Sequence, residues 1–120
     1  MGRMLPIAAM LVVGAFQQAL ADGNAMHGQQ IYESRCIACH SPDANRVGPM
    51  HRGLFGRKAG SVAGYAYSKA LKGTDFVWNE ETLDKWLTNP QAFVPGQKMN
   101  FKVASPQDRA DVIAYLKTLQ

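Results

Sequence analysis

Residues 35–40, Arg-Cys-Ile-Ala-Cys-His, hold both cysteines of a 120-residue chain, with His40 directly after Cys39. Four chemistries use such a group: a disulfide, a dithiol redox couple, half of a zinc site, and the covalent tether of a haem. A Cys36–Cys39 disulfide would close a very small loop and so stabilise little, because the effect grows with loop length. A thioredoxin-like couple needs a strand leading into a helix within an α/β domain, and this chain shows little of the alternation that marks strands. Zinc needs four ligands at set spacings. There is no second cysteine pair, and His27 and His51 are not suitably spaced. Haem attachment accounts for all three residues together, since Cys-x-x-Cys-His is the attachment pattern of c-type haem. Two thiols one helical turn apart can add to the two vinyl groups of one porphyrin, while His40 reaches the iron.

Attachment does not say what the iron does. A five-coordinate iron binds gases or peroxide, whereas a six-coordinate one mostly passes electrons, so the second axial ligand decides. Of six methionines, Met1, Met4 and Met10 lie in the N-terminal segment. Met26 sits on the first predicted helix and reads as a packing residue. Met50 follows Gly48-Pro49 in a tight loop, too near His40 in sequence to reach the opposite haem face. Met99 lies in Val-Pro-Gly-Gln-Lys-Met-Asn-Phe, an extended loop after a helix stop and a Pro-Gly turn. It is the methionine placed to cross the far face.

Three helices must position these groups. One is expected over 25–38, with Asn24 as N-cap and Ile31 and Tyr32 on its apolar side. The second is Asn-Glu-Glu-Thr-Leu-Asp-Lys-Trp-Leu, with Asn79 as cap and Glu80 and Glu81 in the first turn, where the helix dipole favours anions. Leu83, Trp86 and Leu87 give it helical spacing, and Asn89-Pro90 stops it. The third opens with Ser105 as cap and Pro106 at the first helical position, and buries Val112, Tyr115, Leu116 and Leu119. Between them run long loops rich in glycine and proline; residues 47–64 alone carry five glycines. Loops of that length fold well only around something. The expected architecture is all-α, three main helices plus short turns wrapped around a large internal ligand.

The first 21 residues read as a cleaved secretory signal peptide: Arg3, an uncharged apolar run over 5–16, then Ala19-Leu20-Ala21 before Asp22. Twelve apolar residues are too few for a spanning helix, which needs about 20. The domain is then 22–120, one unit in an oxidising compartment. Without Arg3 it carries 12 basic and 9 acidic residues, a net charge of +3. The basic residues are dispersed, which argues against nucleic acid as a partner.

Four blocks together resemble a class I cytochrome c, similar to the mitochondrial carrier and bacterial cytochromes c2: Cys-Ile-Ala-Cys-His, the 47–60 stretch Val-Gly-Pro-Met-His-Arg-Gly-Leu-Phe-Gly-Arg-Lys-Ala-Gly, residues 78–90 with 94–101, and Arg-Ala-Asp-Val-Ile-Ala-Tyr-Leu-Lys. The resemblance spans 24–119. It implies one haem c on thioethers at Cys36 and Cys39, with His40 and Met99 as axial ligands. It makes the Pro49 carbonyl the acceptor from the other imidazole nitrogen, and Arg57, Tyr67 and Trp78 the donors to the haem propionates. Gly28 and Tyr32 match first-helix contacts with the last helix, near Val112 and Tyr115.

Departures are as informative. Trp86 stands where the mitochondrial protein has a tyrosine touching the methionine sulfur, so Trp86 is counted among the cofactor-contacting residues. Gln97 replaces a threonine and Leu71 an asparagine, which is expected to remove two polar groups near the haem. His51 replaces a leucine and is expected to turn to solvent. Gln91, Ala92 and Gln107 stand in place of lysines that ring the mitochondrial docking face, while Lys58, Lys98 and Lys102 form a smaller positive patch.

The implied function is a soluble, monomeric periplasmic electron carrier without enzymatic activity of its own. It would dock briefly at the haem edge with a membrane quinol–cytochrome complex, a terminal oxidase, a reaction centre or a periplasmic dehydrogenase. The alternative is a haem protein whose methionine ligand gives way to a gas or to peroxide.

Overall fold

The helices of this chain begin where polar side chains satisfy otherwise unpaired backbone N–H groups. The computed structural model describes Gly2 and residues 23–120; the leader assigned to residues 1–21 lies, Gly2 aside, outside them. Asn24 accepts from the His27 N–H at 3.1 Å and opens α1, Ala25–Ile31. Asn79 and Thr82 cap each other's backbone N–H at 2.9 Å and open α3, Glu80–Thr88. Ser105 accepts from Asp108 N–H at 3.2 Å and opens α5, Pro106–Thr118, with Pro106 in the first turn. Two single turns escaped the reading of periodicity. These are α2, Lys69–Lys72, capped by Ser68, and α4, Pro90–Phe93, capped by Asn89, the same residue that ends α3. Four residues are too few to show a period.

The single α-helix expected over 25–38 changes hydrogen-bond register part-way. From Tyr32–Cys36 it becomes a π-helical turn, closed by the Ile37 N–H donating to the Tyr32 carbonyl at 3.3 Å. The Cys36 carbonyl then accepts from both Cys39 N–H (3.1 Å) and His40 N–H (2.9 Å). A π-turn holds one extra residue per loop of the ladder and is often found at functional sites. Here it delivers the two cysteines and the histidine.

The crossing of α1 with α5 organises the core. A Cβ on Gly28 would lie 1.9 Å from the Asp111 carbonyl oxygen, and one on Gly23 would lie 1.9 Å from that of Ala110, so bare backbone lets the two segments touch. Asp111 is buried in this crossing and accepts from the Asn24 N–H (2.7 Å), His27 Nδ1 (2.6 Å) and Gln107 Nε2 (2.9 Å). Burial alone would raise its pKa, but these donors hold the carboxyl below its ordinary value. Tyr32 packs on Tyr115 with ring centroids 5.2 Å apart. α5 and its C-cap bury Val112, Leu116 and Leu119, Tyr115 packs half-buried against the same core, and Ile113 is buried in addition.

No strand forms among the described residues. A lone antiparallel bridge joins Lys58 to Val77. Around it Trp78 N–H donates to the Arg57 carbonyl (2.9 Å), Gly56 N–H to that of Trp78 (2.8 Å), and Ala59 N–H to that of Phe76 (3.0 Å). This short clip lays two distant loop segments side by side.

Candidate cofactor site

The clip, the π-turn and the loop after α4 each bring a different kind of donor to the margin of one core. Cys36, Tyr67, Phe76, Phe93 and Met99 are half-buried there, against buried Trp78 and Trp86.

The first group is Cys36, Cys39 and His40. Both thiols are free; Cys36 is half-buried and Cys39 exposed. Burial pushes the Cys36 thiol up to about 11, so it stays protonated at neutral pH. His40 Nδ1–H donates to the Pro49 carbonyl at 3.0 Å, which leaves Nε2 with its lone pair. Burial holds the His40 pKa below its usual value against the opposing pull of that hydrogen bond. Gly48 leaves room for the ring: a Cβ there would fall 2.0 Å from His40 Cε1. Arg46, which carried no role in the sequence reading, donates to the carbonyls of Ile37, Ala38 and His40. It thereby closes the polar end of the turn that carries Cys36, Cys39 and His40.

The second group is Arg57, Tyr67 and Trp78. The half-buried Arg57 guanidinium donates to the carbonyls of Met50 (2.7 Å) and Arg52 (3.3 Å). Among the described residues it has no carboxylate partner, and burial lowers its pKa. Tyr67 lies within electrostatic reach of Arg57. Its hydroxyl accepts from the Val62 N–H at 2.9 Å, so its own proton remains for another acceptor. The Trp78 indole N–H donates to no protein atom among the described residues. A half-buried cation with no carboxylate partner among the described residues, beside two uncommitted donors, is the complement of a carboxylate pair drawn into an apolar crevice.

Met99 forms the third group. Its N–H donates to Oε1 of Gln97, a buried side chain whose Nε2 in turn reaches Gln91 Oε1 at 3.3 Å. Gln97 therefore adds a polar anchor for the Met99 backbone where a polar group was expected to be lost. Its burial depends on the folding of its loop, which no local pattern signals. Trp86 packs edge-on against Trp78, centroids 5.4 Å apart at 71°, and makes no hydrogen bond among the described residues. Lys58, Lys98 and Lys102 are all exposed. Lys58 lies 3.9 Å from Asp75, Lys98 Nζ donates to the Ala66 carbonyl at 3.5 Å, and Lys102 borders a groove of about 500 Å³ that Met99 also lines.

One expectation fails. His51 does not turn to solvent but stacks on His40, ring centroids 4.1 Å apart and 20° from parallel, and pairs its Nδ1 with the Tyr32 hydroxyl at 2.9 Å. Burial, with His40 and Arg57 nearby, drives its pKa well below the ordinary value. The reason lies in the backbone, which pairs the His51 N–H with the Ser41 carbonyl at 3.2 Å and so lays His51 beside His40.

The donor set fits a haem: thiols for vinyl groups, a neutral imidazole nitrogen and a thioether for iron, and cationic and hydroxyl donors for propionates. A helical fold assembling those donors is that of a small haem protein of the c type. Comparison with known proteins agrees. The family model described as cytochrome c matches residues 25–120. Cytochrome c of Gossypium barbadense is 46% identical over 107 residues, which is 86% of this chain and 96% of that protein. Cytochrome c2 of Rhodomicrobium vannielii is 47% identical over 116 residues, 93% of this chain and 90% of that protein. The solved structure of cytochrome cH from Methylobacterium extorquens superposes with a TM-score of 0.76 at 43% identity, covering 80% of this chain and 99% of that one. The chain belongs to the cytochrome c family, and its fold is that of class I. Its cofactor is the family's covalently attached haem c.

Proposed function

We propose that this protein is a periplasmic one-electron carrier, a monomer that holds its haem on thioethers at Cys36 and Cys39 with His40 and Met99 as axial ligands. The observation that carries the reading is the state of His40. Its Nδ1–H is committed to the Pro49 carbonyl at 3.0 Å, so the imidazole presents Nε2 as its one basic nitrogen. When bound, the haem supplies the one-electron couple. A thioether is a soft ligand that favours the reduced metal, so His/Met ligation raises the potential. Arg57, Tyr67 and Trp78 would hold the propionates, and the Gln97 side-chain amide oxygen orients the Met99 backbone. Carriage of an electron needs no substrate pocket and no second catalytic group.

Partners would meet the exposed haem edge briefly, aided by Lys58, Lys98 and Lys102. The family-plausible ones are a quinol–cytochrome complex, a terminal oxidase, a reaction centre or a periplasmic dehydrogenase. With so low a net charge, steering should be weak and fade near 0.15 M salt, where the screening length is about 8 Å. No helix among the described residues is long and apolar enough to cross a membrane, which is compatible with diffusion between partners.

A second reading rests on Trp86. Its indole packs on Trp78 and gives Met99 no hydrogen bond among the described residues, so the sulfur lacks the support that the family tyrosine provides. That favours a labile ligand and a gas- or peroxide-binding iron. One experiment separates the two. Ferric and ferrous spectra are recorded with and without carbon monoxide for the native protein and for Met99→Ala. The carrier reading expects the native protein to resist carbon monoxide at neutral pH. It expects Met99→Ala to keep its haem, lose potential and bind the gas at once. Rapid binding by the native protein would replace the carrier reading with the second, and an unchanged potential in Met99→Ala would remove Met99 from the iron.

A further inference from the structure

We propose that His51 is a positioning residue for His40, fixing the plane of that imidazole by stacking on it. The inference rests on the reading of His40 as an iron ligand and adds to it a residue outside the ligand set.

The hydrogen bond from His40 Nδ1–H to Pro49 fixes one direction on the ring. It narrows the plane without fixing it, because a hydrogen bond accepts a spread of angles and the terminal torsion of histidine is broad rather than sharply staggered. His51 supplies the missing constraint. Its ring lies 20° from parallel to that of His40 at 4.1 Å between centroids, the geometry of a stacked pair. A leucine at this place would fill volume without dictating a plane.

His51 is itself held at three points. Its N–H donates to the Ser41 carbonyl at 3.2 Å, one residue beyond His40, and the next pair repeats the contact, Arg52 N–H to Pro42 carbonyl at 2.8 Å. Its carbonyl accepts from the Leu54 N–H at 3.0 Å. Its Nδ1 pairs with the Tyr32 hydroxyl at 2.9 Å. Tyr32 is almost wholly buried, belongs to the π-turn that leads to Cys36, and packs against Tyr115 of α5. A continuous series of contacts therefore runs from the α1/α5 crossing through Tyr32 and His51 to the plane of His40. The crossing sets the stack, and the stack sets the ring.

The test uses the holoprotein and the variants His51→Leu and His51→Phe. The readouts are the proton hyperfine shifts of the haem methyl groups in the ferric state and the reduction potential. In a ferric haem those shifts follow the orientations of the two axial ligands, so with Met99 unchanged they report the imidazole plane and not general stability. His51→Phe keeps a flat ring in the stack and should retain the native order and spread of methyl shifts; His51→Leu should alter both and shift the potential. Melting temperature is measured alongside, because a packing role alone would move it without changing the methyl pattern. An unchanged pattern in His51→Leu, or the same alteration in both variants, overturns the proposal. Should His51→Leu fail to mature, Tyr32→Phe removes the bond that holds His51; a displaced pattern then supports the stack and a native pattern overturns it. A native spectrum without histidine–methionine ligation would overturn the assignment of His40 first, and this inference with it, so the two failures are distinct.

Discussion

Replacing Gly48 by alanine should damage the site through one methyl group. The backbone at Gly48 is outside the left-handed region, so the substitution carries no conformational strain of its own. Relief of unfolded-chain entropy would even favour alanine by about 0.4–1 kcal/mol. The new Cβ, however, would sit 2.0 Å from His40 Cε1 and 2.5 Å from both ring nitrogens, where ordinary contact begins at 3.4 Å. Either the ring or the backbone must withdraw by the difference. The backbone is pinned, with Gly48 N–H on the Cys39 carbonyl at 2.8 Å and the Gly48 carbonyl accepting from Arg46 N–H at 2.9 Å. The ring must therefore leave, and a displacement of that size breaks its 3.0 Å bond to Pro49. Losing the bond costs about 1 kcal/mol and the overpacking about 1–3 kcal/mol. After the entropy gain, a net loss of about 2 kcal/mol remains. In a domain of this size that lowers Tm by roughly 10 °C. The assay is thermal unfolding of the purified holoprotein, with its visible spectrum recorded in parallel. A Tm within about 2 °C of the native value, with an unaltered spectrum, would refute the reasoning, since the ring would then have moved freely.

Three other outcomes are expected. Gly28→Ala places a methyl 1.9 Å from the Asp111 carbonyl oxygen. It should lower the denaturant midpoint by an amount equivalent to about 2–3 kcal/mol despite the better helix propensity of alanine, with m unchanged. Asp111→Asn should cost about 1–3 kcal/mol at pH 7. Because the folded pKa of Asp111 is depressed, its contribution is complete above the unfolded value and is lost as pH falls through the folded one. The gap between native and variant, read by urea unfolding, should therefore close below about pH 4 and stay constant above about pH 5. Arg57→Gln removes a half-buried positive charge, which should favour the oxidised state and lower the reduction potential in voltammetry; an unchanged potential would separate Arg57 from the cofactor.

Local chemistry was readable from the residues and long-range placement was not. Asn24, Asn79 and Ser105 announce their helices because a cap acts over three residues. Gly28 was assigned to the contact with the last helix by the resemblance, and the 1.9 Å from its Cβ position to the Asp111 carbonyl shows why no side chain fits there. The π-turn at Tyr32–Cys36 stayed hidden, since a shift of hydrogen-bond register leaves no mark on the residue types. His51 was misjudged for a different reason. As a lone loop histidine it looks solvent-facing, and only the pairing of 41–42 with 51–52 turns it inward. The resemblance gathered Arg57, Tyr67 and Trp78 into one role, but the clip around Lys58 and Val77 that sets Arg57 beside Trp78 is a contact between segments about twenty residues apart. Gln97 was read by what it replaced, when its own amide turned out to hold Met99.

The α1/α5 crossing joins residues 87 apart in sequence, Asn24 to Asp111. To form it unaided, the chain must close nearly all of itself into one loop. The length-dependent part of that closure entropy is roughly 4 kcal/mol, spent before the helices gain anything from touching. Contacts so distant slow the search for the native state. The attachment turn sits directly at the end of α1, and the donors that would grip the same cofactor are strung along the intervening chain at Arg57, Tyr67, Trp78 and Met99. A ligand fixed at Cys36 and Cys39 would divide the one long search into several short ones. By this reasoning a chain that gains its cofactor before α1 docks on α5 would fold faster than one that must dock the helices first.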